Sequence, residues 1–428
     1  MVDRIPQSTG CLAADAFRQK RRSFLTSLAA LGVVPSLGAF PQGILRSAKV
    51  VPTIEPLGFA GQGKRADLKI TKVEILQVAG KNKRKVLYLK VHTNEGLAGL
   101  YGPIDNEAAM FVDRFFKRNL IGQDPLAYET YWDGMFRASR HSRGSHYIMG
   151  LSAVDNVLWD LRGRLFGLPV YRLLGGSRKT VRAYASCLGF SQEPSALRAK
   201  ARELKQQGYR HQKWFVRDRG PSHGPEGVEE DVRVVRLLRE AVGDDVDLMF
   251  DAFWKWDLQY ALAWARRAEQ YRPRWIEEPF QTANLDAFIE LSRETSIPVA
   301  TGEHFYGRWD VHKFLKADAI MVVQADPEWC GGVSELAKIC TLASVHGVNV
   351  VPHGHSLHAA MHVVASQPIE VCPLVEYLIQ KMRGYYDFEK HQPRPVDGML
   401  ELPDRPGFGI ELDESKIEDL RPVSWQQT

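Results

Sequence analysis

Cysteine is scarce and poorly placed for cross-linking, with five residues in 428 and no Cys-x-x-Cys pair. Cys11 lies near the start. Cys187, Cys330, Cys340 and Cys372 stand in apolar or strand-like contexts, so they read as buried thiols, not as a disulfide framework or a zinc site. After the first 50 residues no apolar run is long enough to span a bilayer. An excess of one charge is also missing from the body of the chain. The formal net charge is +5, but residues 1–49 carry seven basic side chains (Arg4, Arg18, Lys20, Arg21, Arg22, Arg46, Lys49) and only Asp3 and Asp15 against them. Taking these from the totals of 56 and 51 leaves 49 of each sign. A neutral body gives nucleic acid no footing.

What is present is ordinary for a soluble globular enzyme: 44% hydrophobic and 25% charged residues, in a length that accommodates one large domain and a smaller companion. The leader is distinctive. Lys20-Arg21-Arg22-Ser23-Phe24-Leu25 precedes a moderately apolar stretch over 25–40, interrupted by Gly32 and Pro35. A twin arginine before such a run reads as a twin-arginine export signal, with a periplasmic location, in preference to a membrane anchor. Export of an already folded chain suits the lack of disulfides. The expected division is a leader over 1–49, a linker over 50–66, a capping domain over 67–180, a catalytic domain over 181–395, and a C-terminal segment over 396–428 that packs back on the cap.

Periodicity supports this division. Residues 67–105 alternate as a strand meander, and helical spacing follows over 106–118, 125–137 and 148–166, the last ending at Gly167-Leu168-Pro169. From 181 the pattern becomes strand then amphipathic helix, with strands expected at 181–187, 211–216, 247–253, 274–279, 299–303, 319–324, 348–353 and 369–376. Eight such strands predict an α/β fold, a parallel (β/α)7β TIM-like barrel behind an N-terminal α+β capping domain. In such barrels the reacting groups lie at the C-terminal strand ends.

Those ends carry Lys213, Asp251, Glu277, Glu303, Asp326, His353 and Glu376. So many ionisable groups in one ring need a metal or a substrate to balance them. Asp251, Glu277 and Glu303 recur every 26 residues, one βα unit apart. Three hard oxygen donors facing one point suit octahedral Mg²⁺, although Glu278 competes with Glu277 and a lone Asp at a strand end is often a helix cap. Asp326 and His353, 27 residues apart, fall on neighbouring strands. A carboxylate beside an imidazole fixes its tautomer and raises its basicity, which makes a general base. His355 and His358 read as lining or packing. Glu376 can hydrogen-bond an oxyanion if protonated, hold the substrate, or form a structural salt bridge. Strand parity sets His211, Lys213 and Phe215 on one face, so the position two beyond Lys213 cannot accept a proton. Lys213 is either a cation for the substrate or a snorkelling lysine.

Five stretches carry a resemblance to the enolase superfamily, mandelate racemase subgroup: Gly150-Leu-Ser-Ala-Val-Asp-Asn-Val-Leu-Trp-Asp-Leu-Arg-Gly with its exit at Gly167; Trp275-Ile-Glu-Glu-Pro; Thr301-Gly-Glu-His; Gln324-Ala-Asp-Pro-Glu-Trp-Cys-Gly-Gly; and Val351-Pro-His-Gly. Thr301-Gly-Glu-His, Trp329-Cys-Gly-Gly and His223-Gly-Pro most resemble L-rhamnonate dehydratases. The resemblance implies Mg²⁺ on Asp251, Glu277 and Glu303, a dyad of Asp326 and His353, and the last-strand glutamate at Glu376. Racemases of the subgroup carry Lys-x-Lys on the second strand, whereas this chain has Lys213-Trp214-Phe215. The expected activity is therefore a Mg²⁺-dependent dehydratase of an aldonic acid, a hydro-lyase. Through a metal-stabilised enediolate it would lose the alpha proton and the 3-hydroxyl to give a 2-keto-3-deoxy acid, with His353 as base and Glu376 and Lys213 steadying the intermediate. A racemase, epimerase or cycloisomerase, and a non-catalytic sugar-acid-binding protein, are the alternatives. His211 or a cap residue could supply a second base. Segments 76–85 and 137–146, rich in basic residues, are expected to close over the substrate, or else to be solvated loops. A homo-oligomer without a membrane span is expected.

Overall fold

The computed structural model describes residues 67–81, 84–142, 144–216 and 219–425, so the expected leader and linker lie outside the described residues. The alternating apolar residues after 67 form β1 (Ile70–Ala79), β2 (Lys85–Thr93) and β3 (Ala98–Ile104), an antiparallel meander. A late strand, β13 (Asp419–Val423), pairs antiparallel with β1 and covers an edge that would otherwise expose unpaired backbone groups.

Against this sheet lies the helix His146–Phe166, buried over most of its circumference. Gly99 on β3 makes that approach possible, because a Cβ there would meet the helix backbone at Val157. The helix stops where Gly167 turns left-handed (φ 67°) and Leu168 N–H returns to Gly163 O at 2.9 Å. Its buried polar residues are satisfied across the fold. Ser152 Oγ accepts the Gly331 N–H (2.9 Å), Asn156 Oδ1 the Val333 N–H (3.0 Å) and Asp155 Oδ2 the Ser334 N–H (2.8 Å). These are the first turn of the helix Gly332–His346, whose orphan donors are thereby capped from outside.

The second sheet contains β4 (Thr180–Ser186), β5 (His211–Phe215), β6 (Asp247–Asp251), β7 (Trp275–Glu277), β8 (Val299–Thr301), β9 (Val322–Val323), β10 (Asn349–Val350) and β11 (Val375–Leu378). All pair in parallel, in the order β10-β9-β8-β7-β6-β5-β4-β11. The two ends of this curled sheet approach where Val350 N–H donates to Val371 O at 2.8 Å. One helix follows each strand from β4 to β10, so the expected (β/α)7β barrel is present, with the N-terminal α+β sheet beside it. β12 (Met399–Glu401) adds antiparallel to the start of β4, on the barrel and not on the cap sheet.

The strands are shorter than their apolar patterns suggested, and the last is displaced. It was expected at 369–376, but Pro368 O takes up the Val371 and Cys372 N–H groups in a turn and Pro373 has no donor, so pairing begins only at Val375. Inside the barrel Tyr184, Met249, Trp275, Ala300, Val322, Val351 and Leu374 pack into one apolar layer. Side chains alternate along a strand, so the residues two positions further on form the next layer toward the C-terminal mouth. That layer is polar.

Candidate active site

Two residues beyond the apolar layer stand Ser186, Asp251, Glu277, Gln324, His353 and Glu376. On β8 the alternation is broken by Gly302 at φ 127°, a conformation L-residues avoid, and Glu303 takes the inward direction. Its Oε2 lies 3.6 Å from His353 Nε2. Phe253 (φ 52°), Trp254 (φ 61°) and Glu278 (φ 44°) also hold left-handed backbone just past β6 and β7, strain of the kind that gathers at functional sites.

The strand ends bring the expected residues together. Lys213 is 1% exposed and does not snorkel. Its ammonium bonds Glu277 and lies 3.3 Å from Asp251 Oδ2 and 2.9 Å from Glu376 Oε1. Glu277 also accepts the Trp275 Nε1–H at 3.0 Å, and Asp251 Oδ1 the Phe253 N–H at 2.9 Å. Glu303 lies on the far side, toward His353. Among the described residues, the donor atoms of Glu278, Glu303 and His304 lie within 4.8 Å of one another. This cluster shares Glu303 with the expected trio, includes Glu278, the expected competitor of Glu277, and adds His304.

Charge decides what this ring can hold. Asp251, Glu277, Glu278, Glu303, Asp326 and Glu376 are all buried, against the cations Lys213 and His353. Burial, together with the charges of neighbouring carboxylates, pushes Asp251, Glu277 and Glu303 up to about 7 and Glu278 to about 8, although Lys213 and His353 pull the other way. A low-dielectric site with surplus carboxylates and hard oxygen donors fits a divalent cation such as Mg²⁺.

His353 and Asp326 meet at 2.7 Å through Nδ1 and Oδ2. Asp326 is held in place by backbone, since Oδ1 accepts the Glu328 N–H (2.6 Å) and Oδ2 the His355 N–H (3.1 Å). With Nδ1 so engaged, Nε2 faces Glu303 and, at 4.0 Å, Glu376. Burial alone would lower the His353 pKa, but the charges of Glu303 and Glu376 and the Asp326 hydrogen bond raise it to about 10. Glu376 takes the opposite course. Burial would raise it, yet Lys213 and His353 bring it down to about 2, which favours the carboxylate over the protonated donor, one of the roles expected of it. It accepts the Gly354 N–H at 2.9 Å and so braces the loop that carries His353.

The remaining expectations divide. Phe215 stands where parity put it, buried, with the Lys213 ammonium 5.5 Å from its ring. His211 is not a second base. It starts β5, at the barrel's opposite end, and bonds Asp247 at 2.8 Å. His358 packs inside against Glu389 (2.8 Å). His355 does more than line the site, bonding Asp105 beyond β3 (2.9 Å) and Lys381 beyond β11 (2.7 Å). Trp329 lies between the histidines, its ring 4.9 Å from His353, 4.8 Å from His355 and 5.5 Å from His304. From the basic segments, Gly144 lies against Tyr306 just past Glu303, and Arg84 pairs with Asp387 beyond β11 at 3.6 Å. His304 was legible beside Glu303, whereas Asp105 and Lys381 carried no local signal.

Comparison with known proteins adds a lineage to this geometry. Residues 196–416 match the family described as enolase C-terminal domain-like, and residues 69–175 match the mandelate racemase/muconate lactonizing enzyme N-terminal domain. Arabinonate dehydratase of Saccharolobus solfataricus is 31% identical, over 79% of this chain and 91% of its own length. D-galactarolactone cycloisomerase of Agrobacterium fabrum is 33% identical, over 79% and 92%. L-rhamnonate dehydratase of Saccharopolyspora erythraea is 32% identical, over 81% and 87%. Among solved structures, a racemase from Streptomyces coelicolor with bound magnesium superposes with a TM-score of 0.71 at 26% identity, covering 81% of this chain and 98% of that one.

Proposed function

The chain belongs to the mandelate racemase/muconate lactonizing enzyme family of the enolase superfamily, and from that premise we propose that it is a dehydratase of an acid sugar. The observation that carries the reading is one imidazole, tuned by Asp326, opening on a ring of carboxylates, with Phe215 where a second base would have to stand. Exchange of configuration needs acid/base groups on both faces of a carbon, whereas elimination of water needs only one face.

Asp251, Glu277 and Glu303 would hold Mg²⁺, with Glu278 and His304 beside them. When bound, the ion supplies Lewis-acid neutralisation of charge on the substrate's carboxyl end. Within the chain, Asp326 keeps the proton of neutral His353 on Nδ1, so the Nε2 lone pair can take the alpha proton. The elevated His353 pKa rests first on Glu303 and Glu376. With Glu303 holding a cation, that support would weaken and leave the imidazole of His353 free to act as the base. Carrying the proton, it is placed to release it to the departing 3-hydroxyl. Lys213 opposes the protonation of its three carboxylate neighbours, and Glu376 fixes the Gly354 turn.

The test is a panel of aldonic and aldaric acids incubated in D₂O, with 2-keto-3-deoxy acid expected as product. Deuterium entering the alpha carbon without any keto acid would reject dehydration in favour of a racemase or cycloisomerase. Among the described residues no helix is long and apolar enough to cross a membrane. Export is supported by the Arg21-Arg22 leader, and fractionation of expressing cells is its check: a wholly cytoplasmic enzyme would refute it.

A further inference from the structure

Gln324 is 1% exposed, and neither its Oε1 nor its Nε2 has a hydrogen-bond partner. Among the described residues it is the buried amide with both ends unpaired. Buried amides left so are rare, because each end forfeits its bonds to water. The backbone fixes where this one points. Gln324 N–H donates to Thr301 O at 3.0 Å, and its carbonyl accepts the His353 N–H at 3.2 Å. The residue is thus stitched between the strand that leads to Glu303 and the loop that bears His353. Val322, two residues earlier, faces the barrel interior, while Val323 packs on the helical side. Alternation then turns the Gln324 side chain toward the axis, in the layer of Glu277 and His353.

We propose that the Gln324 carboxamide is a substrate-binding group that recognises a hydroxyl of the acid sugar. This rests on the dehydratase reading and deepens it. A group that satisfies both ends must donate and accept at once, which a hydroxyl does. A carboxylate would satisfy Nε2 and repel Oε1, so the acidic end of the substrate belongs elsewhere in the ring.

Gln324→Met keeps the length and apolar volume of the side chain and removes both polar ends. With arabinonate and L-rhamnonate as probes, kcat/KM should fall roughly 10- to 100-fold, the loss expected when a bound hydroxyl is buried without its partner. The unfolding temperature without ligand should stay level or rise, since the variant no longer buries an unsatisfied amide. A kcat/KM within threefold of wild type would overturn the proposal and assign the amide to a buried water. So would a lower unfolding temperature or a variant that does not fold, because either means that the amide is partnered within the protein. If the wild type turns over neither acid nor any other of the panel, the dehydratase reading falls first. The comparison is then made on the acid-induced rise in unfolding temperature: a rise lost in Gln324→Met sustains the binding role, and a rise unchanged ends it.

Discussion

Replacing Asp326 by Asn changes few atoms and has consequences that follow from three contacts. Oδ2 receives both His353 Nδ1 and the His355 N–H, and Oδ1 receives the Glu328 N–H. An amide offers one acceptor where the carboxylate offered two. If its nitrogen takes the Oδ2 place, it donates to Nδ1, moves the imidazole proton to Nε2, and removes the lone pair that would take the substrate's proton. If it takes the Oδ1 place, it faces the Glu328 N–H donor instead. In either orientation one backbone N–H loses its partner, which costs about 1–3 kcal/mol of stability. The catalytic loss is larger. General-base catalysis contributes about 10²–10⁴-fold, so kcat should fall on the order of 10³-fold, about 4 kcal/mol. Steady-state formation of 2-keto acid measures it, beside His353→Ala and the double variant. Residues that act as one unit are not additive, so the double variant should be little worse than either single one. A kcat within tenfold of wild type in Asp326→Asn, or losses that multiply in the double variant, would refute the dyad.

Lys213→Met should destabilise the fold by about 3–5 kcal/mol in urea denaturation, because it strips the counter-ion from three buried carboxylates; an unchanged midpoint would mean that they are balanced by other groups. Mg²⁺ at about 100 times its dissociation constant should stabilise the wild type by about 2.7 kcal/mol, seen as a raised unfolding temperature, and Glu303→Gln should lose most of that rise. An equal rise in the variant would move the cation away from Glu303. Burial favours protonation of Asp247, but His211 and Arg274 hold its pKa near 2, below its unfolded value, so its contribution exists above about pH 4 and fades as pH falls through 2. Because the Asp247 side chain is 41% exposed, that contribution is discounted to about 1 kcal/mol. Asp247→Asn should therefore be less stable than wild type at pH 7, and the gap should narrow at pH 3; a gap that widens on acidification would reverse the assignment.

The parts of the site legible in the chain are those that obey a period. One βα unit separates Asp251, Glu277 and Glu303, and another separates Asp326 from His353, so spacing alone assigned them to neighbouring strand ends. Strand parity likewise put Phe215 at the mouth. Parity set His211 on the same face as Lys213, but its place at the start of the strand puts it at the end away from the chemistry, and the structure shows it bonded there to Asp247. The last strand begins later than its apolar content suggests, because the Pro368 carbonyl holds Val371 and Cys372 in a turn and Pro373 has no donor for the ladder.

What the sequence determined by itself is the repeating architecture and the identity of the groups that face one mouth, since both follow from covalent periodicities of two residues and of one βα unit. What only the tertiary structure decided is how those groups share their charge: Lys213 enclosed by three carboxylates, Glu376 set between Lys213 and His353, Asp105 and Lys381 joined through His355, and Gln324 with both amide ends unpaired. Such pairings depend on distances of a few ångströms between residues far apart in the chain, where burial strengthens every Coulomb term, and no local pattern encodes them.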